Sequence, residues 1–236
     1  VHSGNTKYAQ GGIVYKGIDD SAEKLKADII NAGDNHCWEP AVDQLSTLGP
    51  KLVDLLLIKD SNIIFDQIDS KLDLTFEAAH SEPRIIHNKD QTGKSIQDGL
   101  LIQVEKTPNI KILSNHMAID VLTLSHHSIN SKDIYKKPAC FGAMILDNNT
   151  NQIFPLYANK TILSTGGLGQ LFSHTTNPSE STGDGIAMAW RAGARCFNMQ
   201  YIQFHPTTLF HESGRFLISE SLRGEGAKLI DHNGNT

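Results

Sequence analysis

At 236 residues the chain is long enough for one large domain, and a hydrophobic fraction of 39% lifts it well above the disordered range. Its formal net charge is -5 with no cluster of Lys and Arg, which argues against a nucleic-acid surface, and no apolar run is long enough to span a bilayer. Three cysteines, Cys37, Cys140 and Cys196, are far apart and odd in number, which suits structural thiols in a reducing compartment, with the cytoplasm as the default.

The first residues, Val1 to Thr6, are polar and carry no secretory pattern. Ala9-Gln10-Gly11-Gly12-Ile13-Val14-Tyr15 follows. Two glycines before a β-branched run allow either an ordinary turn into a strand or the close approach of a flat ligand to bare backbone. Asp20-Ser21-Ala22-Glu23 opens a helix running to about Ala32-Gly33. A second helix covers roughly Glu39 to Lys59, with an expected interruption at Gly49-Pro50, because proline cannot continue the backbone ladder. Short strands are expected at Asn62 to Asp66 and Leu72 to Phe76.

Phe76 to His87 concentrates charges and histidines between apolar strands and reads either as a solvated loop or as a functional excursion. A metal site is not expected: His80 and His87 lack partners at helical spacing, and His126-His127 point to opposite faces if they lie on a strand. Gln91-Thr92-Gly93-Lys94-Ser95 lacks the earlier glycine of a phosphate-binding loop, which would fall at Asn88, so Thr92 reads as a cap for a helix through Val104. Strands are then expected at Ile110 to Leu113, Met117 to Leu124, Cys140 to Leu146, Ile153 to Tyr157 and Thr161 to Leu163, with a hairpin turn at Asp147 to Asn151.

The run Lys160 to Ser164 ends in Thr165-Gly166-Gly167, small residues that let backbone amides approach a cofactor. Ser181-Thr182-Gly183-Asp184-Gly185 opens a helix through Ala192 whose N–H groups suit an anion or a polar ligand edge, and Asp184 either caps that helix or meets the ligand. Tyr201 to Thr208 and Ile218 to Gly226 then gather an imidazole (His205), a hydroxyl (Ser219), a carboxylate (Glu220) and a guanidinium (Arg223), the set expected to meet the substrate. Asp231 to Thr236 reads as a hairpin turn with its second strand missing, so the chain reads as a fragment.

Taken in order, Ser3 to Gly12, Thr165-Gly166-Gly167, Thr175-Thr176-Asn177-Pro178, Ser181 to Ala189, Gln203 to Thr207 and Leu222 to Gly226 resemble the succinate dehydrogenase/fumarate reductase flavoprotein family over essentially the whole chain. The resemblance implies an α/β fold with α+β character: residues 1–198 as a Rossmann-like FAD-binding domain, with a substrate-facing excursion at about 67–90, and residues 199–236 as the start of an α+β capping domain. It implies FAD along the backbone of Asn5, Thr6, Lys7, Tyr8, Ala9, Gln10, Gly11 and Gly12, with Met117 and Ala118 at the adenosine end and further contacts from Thr165, Gly166, Gly167 and Asp184. Succinate dehydrogenases place a covalently flavin-linked histidine just before the Thr of the first motif; Asn5 cannot form that bond, so FAD is expected to be non-covalent.

Glu77 resembles the residue that faces a substrate amino group in the amino-acid-oxidising branch of the family, where a carboxylate gives a charge-assisted bond to an ammonium. The resemblance therefore implies L-aspartate oxidation to iminoaspartate, with O2 or fumarate as acceptor, at the start of quinolinate and NAD synthesis; it leaves open a partnership with quinolinate synthase. His205, Ser219 and Glu220 would gather around the side-chain carboxylate of the dicarboxylate, one of the paired carboxyls sharing a proton. Arg223 would pair Glu220 or Glu225, unless that pair is purely structural. Ala78-Ala79 stand where the family usually has a glycine pair, Glu82-Pro83 replace basic or polar residues, and Ser219 replaces a Thr. The G-x-G-x-x-G turn is expected before Val1, and the proton-transfer arginine beyond Thr236, so this polypeptide alone is expected to bind FAD poorly and not to turn over. Two rival readings are a fumarate reductase or succinate dehydrogenase flavoprotein subunit and a non-catalytic fragment of the fold.

Overall fold

The structure, a computed structural model, describes residues 4–77, 79–205, 207–212, 214–218, 222 and 226–236. The chain divides into two compact units. One comprises Thr6–Ile110, Thr207–Glu212 and Phe216–Thr236; the other comprises Val1–Asn5, Lys111–Pro206 and Ser213–Arg215.

In the first unit, Ile13–Val14 (β1) pairs antiparallel with Ile85–Ile86 (β4). The expected first helix is present as Ala22–Ala32 (α1), capped by Ser21, whose hydroxyl accepts the Lys24 amide at 3.2 Å. The second expected helix is not broken at Pro50. Glu39–Leu52 (α2) runs through the proline, and the ladder then widens into a π-helical segment, Val53–Asp60. The ring leaves one turn without its amide donor, and the helix accommodates it by loosening just beyond instead of stopping. The segment at 62–66 joins no ladder, with Asn62 in the left-handed region at φ 49°; Gln67–Ile68 (β2) and Lys71–Leu72 (β3) form a hairpin instead. Burial explains why 62–66 holds its shape: Ile63 and Phe65 join Val53, Leu57 and Ile86 in a core that Ile13, Tyr15, Leu72, Leu74 and Ile96 pack against. Each such side chain contributes roughly 1.5–3 kcal/mol on burial.

Thr92–Lys106 (α3) begins at Thr92, with Gln91 as its cap residue, so Thr92 is not the cap. Its hydroxyl accepts the Asn88 amide at 3.0 Å and closes the preceding turn. Between these elements lies a buried charge cluster. Arg84 has no solvent exposure. Its Nε and Nη2 donate to the two oxygens of Asp20, each at 2.8 Å, its Nη1 donates to Asp28 on α1, and Nη1 also meets His80 Nδ1 at 2.9 Å.

In the second unit, His116–Thr123 (β5), Cys140–Asp147 (β6) and Gln152–Tyr157 (β7) form an antiparallel sheet. The β6–β7 turn is the expected one: Asp147 accepts from the Asn149 amide and the Thr150 hydroxyl, each at 2.9 Å. His126 and His127 lie not on a strand but in the short helix Leu124–His127 (α4) that ends β5. Residues 110–113 and 161–163 join no ladder among the described residues, because apolar β-branched sequence makes a strand only where another strand lies beside it. Asp184–Arg191 (α5) lies on β5, where Arg191 bonds Asp120 at 3.2 Å and the Ile119 carbonyl at 3.1 Å. Among the described residues no helix is long and apolar enough to cross a membrane.

Burial pushes the carboxyls of Asp20 and Asp28 upward, but the bonds from Arg84 and from neighbouring amides outweigh it and hold both below the usual carboxylate range. Groups with depressed folded pKa values contribute stability that is present above their unfolded pKa, near 4, and lost as pH falls through the folded value. Arg84→Ala should therefore lower stability in urea unfolding at pH 7 by about 3–5 kcal/mol, the cost of stranding buried charge. The gap between variant and wild type should narrow as the pH drops below about 4.

Candidate functional site

The first motif folds as a 3-10 turn over Asn5–Tyr8, closed by the Ala9 amide on the Thr6 carbonyl at 3.1 Å. Lys7 is half-buried with Nζ 6.0 Å from the Tyr8 ring centre, and Tyr8 is exposed. The turn sits on the start of α3, where the Gly93 amide donates to the Ala9 carbonyl at 3.0 Å. A Cβ on Gly93 would stand 1.9 Å from the Thr6 carbonyl oxygen, so only glycine allows this approach. The Gln91 to Ser95 stretch does not match a phosphate loop, and the role of Gly93 as a seat for the Thr6 to Ala9 turn has no signal in sequence.

The glycine pair allows a close approach, and one group that approaches is the protein's own Glu77. Gly12 leads into β1, and a Cβ there would lie 2.1 Å from Ile85 Cγ2. Its amide donates to Glu77 Oε1 at 3.3 Å, and a Cβ on Gly11 would lie 3.1 Å from the same oxygen. Two sequence-predicted site elements thus meet: the Gln10-Gly11-Gly12 turn and Glu77. Gln10 Nε2 reaches the Leu217 carbonyl at 3.4 Å. Glu77 is half-buried, and its Oε2 has no partner among the described residues.

In the other unit, Asn5 Nδ2 donates to Ser181 Oγ at 3.0 Å. Ser181 is only 4% exposed and also accepts the Gln170 amide on its carbonyl. Its hydroxyl therefore holds the Asn5 side chain, a link that sequence reading missed. Gly183, in the left-handed region at φ 82°, is the cap residue of α5, and Asp184 is the first helical residue, exposed, accepting Thr182 Oγ1 at 2.5 Å. Asp184 is thus not the cap, and its carboxylate faces solvent at the helix start, where negative charge is favoured.

Thr165, Gly166 and Gly167 are exposed, and open space surrounds the missing Cβ of both glycines. A Cβ on Gly185 would strike Thr165 Oγ1, so the α5 N-terminus rests directly on Thr165. A cavity of about 370 Å³ lies on one side of this junction, lined by Leu163 to Gly166, Ile186 and Arg195 among others. A second, of about 320 Å³, is lined by Gly167 to Gly169, Thr175 to Asn177 and the stretch Tyr201 to His205. His205 is thereby brought to the same cavity as Gly167, while Phe204 packs edge-on against Phe172 with ring centres 5.0 Å apart. Met117 is 46% exposed on β5 and Ala118 is half-buried. Ser219, Glu220, Arg223 and Glu225 lie outside the described residues. No group of three or more His, Cys, Asp or Glu that could hold a metal occurs among the described residues.

Bare glycine backbone, a helix N-terminus and adjoining cavities suit a flat ligand carrying phosphates. A family model described as "FAD binding domain" matches residues 1–236. An L-aspartate oxidase of Neisseria meningitidis is 40% identical over 234 residues, covering 97% of this chain and 44% of that protein. One from Synechocystis is 39% identical over 236 residues, covering 99% and 40% respectively. The chain thus spans less than half the length of these curated relatives. Among solved structures, the flavoprotein of the E. coli quinol fumarate reductase superposes with a TM-score of 0.82 at 24% identity, covering 98% of this chain and 37% of that one, and a Mycobacterium smegmatis Sdh1 structure gives 0.79 at 24%, covering 98% and 39%. These establish the fold.

Gly93→Ala should lower stability by about 1–3 kcal/mol through overpacking against the Thr6 carbonyl. Gly49→Ala is the control: its Cβ would make an ordinary 3.5 Å contact with Leu45, and helix propensity favours alanine by up to about 1 kcal/mol. Thermal unfolding of both variants beside wild type checks the contrast, and flavin titration of the full-length polypeptide that carries this sequence should show weaker binding for Gly93→Ala alone.

Proposed function

This chain belongs to the FAD binding domain family, and from that premise we propose that it is part of an FAD-dependent L-aspartate oxidase, converting L-aspartate to iminoaspartate as the first step of quinolinate and NAD synthesis. The observation that carries this reading is the half-buried Glu77 carboxylate beside the Gly11-Gly12 backbone, with one oxygen on the Gly12 amide and the other uncommitted among the described residues. A substrate ammonium would pair with that second oxygen; a dicarboxylate without an amino group would not.

When bound, FAD supplies a hydride acceptor that O2 or fumarate reoxidises. The chain's own contribution is position and charge. The backbone from Asn5 to Gly12, Met117-Ala118, Thr165-Gly166-Gly167 and Asp184 would hold the cofactor non-covalently. His205 would donate to the side-chain carboxylate of the substrate, joined by Ser219 and Glu220. Residues 1–198 would form the FAD-binding domain and residues from 199 the start of a capping domain whose closure excludes water. The enzyme would work in the cytoplasm and hand iminoaspartate to quinolinate synthase.

The test is peroxide release by the FAD-loaded, full-length polypeptide that carries this sequence, comparing L-aspartate with succinate. Peroxide should come from L-aspartate alone, and Glu77→Gln should reduce kcat/KM for it about tenfold to a hundredfold, the loss of a charge-assisted hydrogen bond. Fumarate or succinate chemistry without aspartate turnover would move the protein to the dicarboxylate branch.

A further inference from the structure

Glu77 does not stand on a regular element. It lies in the connection between the Thr75–Ile85 bridge partners, and Ala79, two residues on, sits in the left-handed region at φ 67°. A side chain bearing a Cβ pays for that conformation, so the excursion needs outside support to keep it. The support is dense and comes from one place. The His80 amide closes a turn on the Glu77 carbonyl at 3.2 Å. His80 Nδ1 meets Arg84 Nη1 at 2.9 Å. Ser81 donates to Asp28 Oδ2 from both its amide and its hydroxyl, each at 2.9 Å. Arg84, fully buried, donates to the same Asp28 oxygen, and Lys24 on α1 pairs with Glu82.

We infer that Asp28, Ser81 and Arg84 are positioning residues for Glu77: they hold a strained turn closed, and through it set where the carboxylate stands for a substrate ammonium. The inference rests on the L-aspartate reading above. Its physical content is that α1 acts as a brace. Asp28 takes the hydroxyl and amide of Ser81 on the oxygen that Arg84 reaches from within, so the turn from Glu77 to Arg84 has both its middle and its end tied to the same carboxylate. With the brace released, Ala79 would leave the left-handed region and Glu77 would drift from the Gly12 amide. The loss would fall on ligands that carry an amino group and spare those that do not.

The experiment uses the full-length, FAD-loaded protein. Arg84 is avoided because its loss strands two buried carboxylates; Asp28→Asn and the milder Ser81→Ala are used instead. KM and kcat are measured for L-aspartate, and the Kd of succinate, which has no ammonium, is read from the change it causes in flavin absorbance. Asp28→Asn should raise KM for L-aspartate about tenfold. The Kd of succinate and kcat should stay within about twofold of wild type. Ser81→Ala should move KM the same way by a smaller factor. Ala79→Gly in the Asp28→Asn background should recover most of the lost KM, because glycine adopts the left-handed region freely. A parallel rise in KM and in the Kd of succinate, no change in either, or no recovery by Ala79→Gly overturns the inference while leaving the enzyme assignment standing. Absence of L-aspartate turnover in wild type overturns the assignment itself, and the inference with it.

Discussion

A guanidinium with no access to water must satisfy its charge and its donors inside the protein, and Arg84 does so with two aspartates. That requirement dictates much of the first unit. Asp20 sits in the turn ahead of α1, Asp28 is on α1 itself, and Arg84 immediately precedes β4. Three stretches that are distant in sequence are thereby brought to one point, since no one of them could bury its charge alone. Gly17 completes the arrangement by donating its amide to Asp20 where a Cβ would strike the Pro83 carbonyl.

Close backbone approach is the second constraint. At Gly12, Gly93 and Gly185 a methyl group would fall inside another residue's atoms. Each glycine lets one motif touch another: the first turn against β4, the same turn against α3, and α5 against Thr165. Beside the last of these contacts, Thr165, Gly166 and Gly167 stay exposed and line the two cavities. Such a surface can lie against a flat, phosphate-bearing cofactor because no side chain stands in the way.

Under the proposed function the residues would separate into cofactor cradle and substrate anchors. Asn5, held by Ser181, carries an amide and no imidazole, so under the proposed function the flavin would be held there without a covalent bond. Under the proposed function Glu77 would supply the negative charge that distinguishes an amino dicarboxylate from a plain one, and His205 lines a cavity together with Gly167. The fold is shared with a fumarate reductase structure at 24% identity, while sequence identity to an L-aspartate oxidase is higher, at 40%, and a shared fold does not by itself fix the substrate.

Sequence by itself determined what depends on residue type at short range. The Ser21 cap, the Asp147 turn and the amphipathic helices follow from local hydrogen bonding and periodicity, and the ordered set of glycine motifs identified the family. Tertiary structure alone decided what depends on a partner far along the chain. Residues 110–113 and 161–163 have strand composition yet join no ladder among the described residues, because pairing is a property of two segments and not of one. Pro50 lies inside a helix because the ladder could widen beyond it. The Phe76 to His87 stretch, open between solvated loop and functional excursion when read alone, became a braced turn once Asp28 and Arg84 stood beside it. A lone charged residue looks the same in sequence whether water or a buried ion pair will satisfy it; only the three-dimensional neighbours settle which.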